Sequence, residues 1–411
     1  MSGKIFSQER EDDVTKKCIF AIMKHLVIRN LGPLKESDIE LKRINVIIGS
    51  QSSGKSCVLK TACYCTWVEK RIELTQTSDF FAKDNNFLNE LERFHKLKGY
   101  IKDDTFIQYE SDYMMFSYNN ATKIFSFDWK KNRWKYRRSK VTYIPAERNI
   151  VAVIPNLFEV KFADDNILNF IVDWNTARRS TNNLSILNLG VSYHYDADTG
   201  SDKVQVDDDV YLDLTNTSSG LQSLIPMFVH LNHLITVQVG KNAELSVKGH
   251  NEITNLIKKV FDNVVRSSRG KVSEDIGEKR SQFVLEANGE ANILQKSDIQ
   301  KIEDVISQYI VTDHCDIFLE EPEANLFPPT QSNVVEWLLA MTTGKQSNNL
   351  FVATHSPYIL TSFLEKKNID MTLLYTRMSE GKMIIRSATE QDIQGIYDYG
   401  VDAFFNIESL G

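Results

Sequence analysis

The run Gly49-Ser50-Gln51-Ser52-Ser53-Gly54-Lys55-Ser56 follows directly on the apolar stretch Ile44-Asn45-Val46-Ile47-Ile48. Glycines near both ends, small hydroxyls between them and a closing Lys-Ser pair suit a loop that wraps backbone N–H groups around phosphate oxygens. A buried strand must feed such a loop, and a helix must start at its end so that its dipole adds to the field. The chemistry expected is the binding of a nucleoside triphosphate, ATP or GTP. Gly49, Ser50, Ser53 and Gly54 would cradle phosphates, Lys55 would meet the β- and γ-phosphates as a point charge, and Ser56 would hold Mg²⁺.

A P-loop match alone arises by chance often enough that the rest of the chain must supply a metal-binding acidic strand. Cys315-Asp316-Ile317-Phe318-Leu319, ending in Glu320-Glu321-Pro322-Glu323, has that form. Apolar residues bury the strand and carboxylates emerge at its C-terminal edge, where open α/β sheets bind ligands. Glu320 is expected to share the Mg²⁺ with Ser56, and Glu321 to polarise the attacking water; the plainer alternative is a solvated acidic turn. Leu350 to Ala353 reads as another buried strand, delivering Thr354-His355-Ser356-Pro357 at its edge. From there His355 could sense or stabilise the γ-phosphate, against the ordinary reading of a packed core histidine. Thr217-Ser218-Ser219-Gly220-Leu221-Gln222-Ser223 precedes an apolar helix expected over Leu224–Leu234. It offers a second phosphate-facing helix start, or an ordinary N-cap. Since one helix start already serves the P-loop, the second is expected to face the nucleotide of another subunit.

Positioning these groups requires an α/β fold. Apolar and polar residues alternate over Ile22–Ile28, Ile39–Leu41 and Ile44–Ile48, punctuated by Gly32-Pro33 and Lys42-Arg43, which predicts strands joined by turns. A helix is predicted from Ser53 to about Arg71, with Val58, Leu59, Ala62 and Thr66 on one face. Between Phe106 and Tyr143 the runs Tyr113–Tyr118, Ile124–Trp129 and Val141–Ile144 predict an antiparallel meander. Residues 197–209 are acidic and contain glycine, the composition of an exposed loop. Apolar stripes predict helices over Ile253–Val265 and Ile299–Tyr309, read as core rather than docking surfaces, with a charged, loose stretch at 267–280 and a helix over Asn333–Thr342.

The composition, 42% hydrophobic and 25% charged over 411 residues, is that of a globular chain with room for two or three lobes around one sizeable core. The formal net charge of −7 excludes a global cationic field that would hold nucleic acid indiscriminately. A local strip of Lys130, Lys131, Arg133, Lys135, Arg137, Arg138 and Lys140, interleaved with Trp129, Trp134 and Tyr136, leaves DNA contact open beside the reading of a solvated hairpin face. Cys18, Cys57, Cys63, Cys65 and Cys315 show no paired metal spacing and read as small apolar fillers in a reducing compartment. With no secretory segment and no bilayer-length apolar run, a cytoplasmic protein with no membrane partner is expected.

Taken together the motifs resemble the ABC-type ATPases of the Rad50/SMC and OLD class. The P-loop is similar to Walker A. Leu319-Glu320-Glu321-Pro322-Glu323-Ala324-Asn325-Leu326 resembles the Walker B and D-loop run of OLD-like ATPases, and Ala353 to Pro357 resembles their H-loop. Ser218-Ser219-Gly220-Leu221-Gln222 looks like a variant of the LSGGQ signature, and Ile28-Arg29-Asn30-Leu31-Gly32-Pro33-Leu34 is similar to the family's first strand and turn. Tyr143-Ile144-Pro145-Ala146-Glu147-Arg148 also resembles an OLD-like stretch. The departures are Glu320 where most ABC proteins carry aspartate, Leu221 at the second signature glycine, and Phe327 where the OLD-like motif usually has histidine.

The resemblance implies a single ABC-type head with a mixed sheet, an antiparallel β subdomain and a helical signature subdomain. A nucleotide-binding lobe over 23–150 would be followed by a signature lobe with inserts over 151–310 and the Walker B and H-loop part over 311–411. It implies ATP and Mg²⁺ as cofactors and ATP hydrolysis as the activity. It adds Arg29 and Asn30 to the nucleotide-binding set, and it implies that Ser219, Gly220 and Gln222 act in trans across a homodimer or higher homo-oligomer. Too few residues follow His355 for a Toprim nuclease domain, so the chain most resembles the ATPase half of two-protein phage-defence systems such as PARIS, in which the effector or nuclease is a separate protein. The expected role is sensor or regulator; the alternative is a DNA-repair clamp resembling RecF.

Overall fold

The computed structural model describes residues 24–154, 156–243, 252–262, 282–287, 290–343, 348–366, 369–379 and 382–399. Strands β1 (Lys24–Leu31) and β2 (Leu34–Leu41) form a hairpin turned at Gly32-Pro33, and β3 (Ile44–Ile48) leads into the P-loop. The meander is β4 (Ile101–Glu110), β5 (Met114–Asn119) and β6 (Ile124–Trp129), followed by β7 (Ser139–Ile144). Four short strands, β8 (Leu184–Ser185), β9 (Ser192–Asp196), β10 (Ser201–Asp207) and β11 (Val210–Asp213), make a separate antiparallel sheet, and β12 (Gln282–Ala287) pairs with β13 (Glu290–Gln295). The chain returns to the main sheet through β14 (His314–Glu320), β15 (Asn349–Ala353), β16 (Met371–Ser379) and β17 (Lys382–Ser387).

The main sheet has eleven strands in the order β6-β5-β4-β1-β2-β17-β16-β3-β15-β14-β7. Its centre is parallel: β7 pairs with β14, β14 with β15, β15 with β3, and β3 with β16. Its other wing, from β2 to β6, is antiparallel. The parallel strands are buried on both faces, as their unbroken apolar runs require. Along β3, Val46 and Ile48 enter one core with the signature helix (Ser219–His233) and the helix Pro328–Thr343, while Ile47 enters the other beneath the P-loop helix (Lys55–Thr75) and the meander. The same alternation divides Ile317 and Leu319 from Phe318 in β14, and Phe318 stacks on Phe351 with centroids 4.3 Å apart.

The architecture is the expected α/β one, with a large mixed sheet, an antiparallel wing and helices around the segment that begins at Ser219. Cys57, Cys63, Cys65 and Cys315 are buried free thiols, and the helices at 252–262 and Lys296–Ile310 pack Leu256, Val260 and Tyr309 inward. Two expectations are corrected. Val141–Ile144 belongs to a parallel strand against β14, not to the meander. The acidic stretch 197–209 contains the turn and strand of the β9-β10 hairpin rather than an open loop, because Asp202 is taken inward by Arg178 (2.9 Å) and by the Tyr193 hydroxyl (2.5 Å). Cys18 and residues 267–280 lie outside the described residues.

Candidate nucleotide site

The P-loop backbone takes conformations that its glycines permit. Gly49 has φ 153°, and a Cβ there would fall 1.6 Å from the Thr376 hydroxyl of β16. Gly54 has φ 92°, and its Cβ would fall 2.6 Å from Leu34 Cδ2. Both positions combine a left-handed backbone with a neighbour that leaves no room for a side chain. Thr376 also donates to the Ser53 hydroxyl (2.7 Å), pinning the loop from the adjacent strand. Lys55 opens the helix with its ammonium folded back onto the carbonyls of Gly49 (2.9 Å) and Ser50 (2.8 Å). Burial pulls its pKa down, opposed by the carboxylates of Glu321 and Glu323. A phosphate would restore a full counter-charge to that ammonium.

A cleft of about 640 Å³ opens on this loop. Gly49, Ser50, Ser53, Gly54, Lys55 and Ser56 line it from the loop, and Glu321 and His355 line it from the ends of β14 and β15. Sequence reasoning missed Lys60, Lys96 and Tyr100 in this lining. Tyr100, half exposed at the rim, offers an aromatic face of the kind on which bases stack. Its signal was lost because it lies about fifty residues from the P-loop and reaches it only through the turn where the Gly32 N–H donates to the Tyr100 carbonyl (2.7 Å).

At the far edge of the cleft Glu321 adopts φ 44°, its N–H bonded to the Ala353 carbonyl (2.8 Å). Its carboxylate lies 3.1 Å from His355 Nε2. That hydrogen bond is the main reason the Glu321 pKa is held low and the His355 pKa is raised. The His355 N–H donates to Glu323 (2.9 Å), which fixes the start of the loop. Glu321 is therefore an ionised, half-exposed base beside an imidazole that can carry a proton.

Glu320 ends β14 with only 6% exposure, and its Oε1 has no hydrogen-bond partner. An orphaned buried carboxylate oxygen is a poor resting state and a good cation ligand. Burial, then the charge of Glu320, pushes the Tyr143 phenol far up. No group of three or more His, Cys, Asp or Glu side chains among the described residues could hold an ion alone. Glu320, which does not itself line the cleft, would with the Ser56 hydroxyl and phosphate oxygens hold a magnesium, an ion that would neutralise charge on the transferred phosphoryl group.

The remaining expected residues lie elsewhere. Arg29 pairs with Glu36 (3.1 Å), while Asn30 donates to Asp104 (2.7 Å) and accepts from Lys35 (2.9 Å); neither lines the cleft. The signature helix starts at Ser219, capped by Ser218, whose hydroxyl accepts from the Leu221 N–H (3.4 Å). Ser219 is exposed, and it lines no part of this chain's own cleft. Gln222 turns its amide onto the carbonyls of Thr215 (2.9 Å) and Thr217 (3.1 Å), so it braces the preceding loop of its own chain. The basic strip is largely spent internally. Lys130 pairs with Glu110, Arg137 with Asp313 and Lys140 with Asp173, and Arg138 donates to the Tyr309 carbonyl. Arg133 lies over the rings of Trp129 and Trp134 and donates to Gln76.

One residue that sequence reasoning left without a role is central. Arg148 is fully buried just beyond β7 and donates only to backbone carbonyls, those of Ser223 (2.9 Å), Glu320 (3.0 Å) and Glu321 (2.9 Å) foremost.

No protein-family model matches the chain, and no curated protein matches it. Among solved structures it is similar to the SMC head domain from Thermotoga maritima, at 10% identity and a TM-score of 0.41, covering 89% of this chain and 99% of that one. It is also similar to an Smc head bound to the C-winged-helix domain of ScpA, at 8% identity and a TM-score of 0.39, covering 91% and 99%. A third is an Smc head with an extended coiled coil, bound to the C-terminal domain of ScpA derived from Pyrococcus furiosus, at 9% identity and a TM-score of 0.30, covering 92% and 98%. Overlaps this loose carry no assignment.

Proposed function

We propose that this chain is an ATP-hydrolysing head that closes against a second copy of itself, with nucleotide held between the two. The observation that carries the reading is the convergence of Lys55, Glu321 and His355 on one P-loop cleft, while the capped helix start at Ser219 stands exposed and apart from it. In this reading Lys55 binds the β- and γ-phosphates, Glu321 takes a proton from the attacking water, and His355 donates to the γ-phosphate. Ser219 and Gly220 complete the partner's site. Phe327, 76% exposed beside the 321–326 turn, and the half-exposed Tyr358 just after His355 supply apolar surface suited to such closure.

The test is association. Ser219→Arg should leave ATP binding by the isolated chain unchanged and abolish ATP-dependent dimers in light scattering; persistence of those dimers would refute the signature assignment. The finer reading, a sensor or regulator in anti-phage defence that controls a separate effector protein, is supported by the motif resemblance. It predicts co-purification with the product of a neighbouring gene, and clean purification alone under native expression would count against it. The DNA-clamp alternative loses its main support, because Lys130, Arg133, Arg137, Arg138 and Lys140 are already engaged within the chain. Among the described residues no helix is long and apolar enough to cross a membrane.

A further inference from the structure

The guanidinium of Arg148 has five N–H groups, and every one has a carbonyl in reach. Nε donates to Ser223 (2.9 Å), Nη1 to Glu320 (3.0 Å) and Pro145 (3.5 Å), and Nη2 to Glu321 (2.9 Å) and Pro322 (3.4 Å). These carbonyls belong to two elements with different work. Ser223 lies in the first turns of the signature helix, and 320–322 form the turn that carries the metal carboxylate and the base. Burial lowers the Arg148 pKa only to about 10, opposed by the charges of Glu323, Glu321 and Glu320, so the fork stays charged at neutral pH. A planar fork with fixed angles transmits displacement in a way that a single ammonium cannot.

Three further contacts tighten the same joint. Asn325 Nδ2 donates to the Ser223 hydroxyl (2.7 Å). A Cβ on Gly220 would meet the Asn325 carbonyl at 3.1 Å, so the signature backbone lies directly on the turn. Glu321 and Asn325 both hold positive φ, at 44° and 60°, conformations that non-glycine residues keep only where surrounding contacts enforce them.

We infer that Arg148 is a positioning residue that locks the Glu321 turn and the signature helix of one chain into a single rigid unit, coupling hydrolysis in its own cleft to closure over the partner's nucleotide. The second half of this statement rests on the dimer reading above; the first half does not.

Arg148→Lys keeps the charge and removes the fork. Because Arg148 touches neither the P-loop nor the cleft, ATP affinity should stay within about threefold while turnover per bound ATP falls about 10- to 100-fold, the scale of charge-assisted hydrogen bonds lost in catalysis. A purely structural role would lower stability and the active fraction but not turnover per bound ATP. Hybrid dimers then separate the two halves. With one subunit carrying Lys55→Ala, a single working site remains, made from the Walker side of one chain and the signature of the other. Arg148→Lys should slow that site from either subunit. Loss confined to the Walker-side placement would overturn the coupling, and unchanged turnover in both would overturn the positioning role.

If even the control hybrid does not associate, the dimer reading fails. The positioning half is then judged on the monomer alone, where Arg148→Lys should move the His355 titration, followed by NMR, back toward that of an ordinary imidazole; an unmoved titration refutes it. If Arg148→Lys does not fold, Ser223→Ala cuts the parallel strut to Asn325 and should give the same two-sided loss at about two- to tenfold, one net hydrogen bond. No loss from either side would overturn the coupling.

Discussion

Glu321→Gln removes proton acceptance while keeping the shape of the site. The substitution keeps the shape, so the side-chain oxygen facing His355 Nε2 at 3.1 Å can still accept from it. The turn is held through its backbone, by Ala353 on the N–H side (2.8 Å) and by Arg148 on the carbonyl side (2.9 Å), and neither tether involves the side chain. The loss falls chiefly on the general base, which contributes about 10²- to 10⁴-fold, or about 2.7–5.4 kcal/mol of barrier, and to a lesser extent on His355, whose raised pKa depends on the same carboxylate. Binding should move the other way if it moves at all. Glu321 is the first of the two carboxylates acting on Lys55, and it faces the same cleft as the incoming phosphates. Removing its charge lowers repulsion there and strengthens ATP retention. Steady-state phosphate release gives kcat and equilibrium titration gives the ATP affinity. Turnover within threefold of the parent protein would mean that the base is another group, and loss of ATP binding would mean that Glu321 holds nucleotide rather than activating water.

Gly54→Ala should cost about 1–3 kcal/mol of stability by forcing a Cβ into φ 92° and against Leu34. Urea unfolding with parallel titration should show ATP binding lost beyond that deficit, and a variant as stable and as avid as the parent would refute the loop geometry. The pH–rate profile should show an alkaline limb above the ordinary imidazole range, because the Glu321 hydrogen bond raises the His355 pKa and the imidazolium is lost only as pH rises through that raised value. The acid limb should lie below the ordinary carboxylate range, since the same bond lowers the Glu321 pKa. His355→Gln should abolish the alkaline limb; a limb that survives belongs to another group. Duplex DNA should show no salt-steep binding, whereas a log–log slope equivalent to several phosphate contacts would restore the clamp alternative.

What could be read in advance, and what could not, divides along physical lines. β3 and β14 were legible because a buried parallel strand is apolar without alternation and each ends in polar groups that have no place in a core. Val141–Ile144 reads as a strand from its composition, but its neighbour does not, since alternation records which face a residue takes and nothing about which strand lies alongside. The β9-β10 hairpin was hidden by its aspartates. Asp202 reads as solvent-facing until Arg178, twenty-four residues earlier, is known to meet it. The strip around Arg133 failed in the opposite sense, looking like a free basic face because the carboxylates and the Gln76 amide that engage its cations come from other segments. Arg148 illustrates the general limit. Its partners are carbonyl oxygens, which every residue carries, so no pattern of side chains could announce them.

Strand order explains why the two halves of the cleft suit a triphosphate. β14 does not adjoin β3; β15 lies between them, so the acidic edge stands two strand spacings, about 9.5 Å, from the P-loop strand. Direct adjacency would drive Glu320 and Glu321 onto the phosphate cradle, where like charges repel. Two spacings leave room for a terminal phosphate with a cation on one side and a water on the other. Register sets the height. Glu320 pairs with Ala353, and Ala353 pairs with Ile47, so the carboxylates emerge level with the strand end that feeds Gly49. The intervening strand then contributes His355 two residues beyond Ala353, and its imidazole meets Glu321 across the gap. The placement of the carboxylates and of His355 relative to the phosphate loop thus follows from one topological fact, a third strand inserted between β3 and β14.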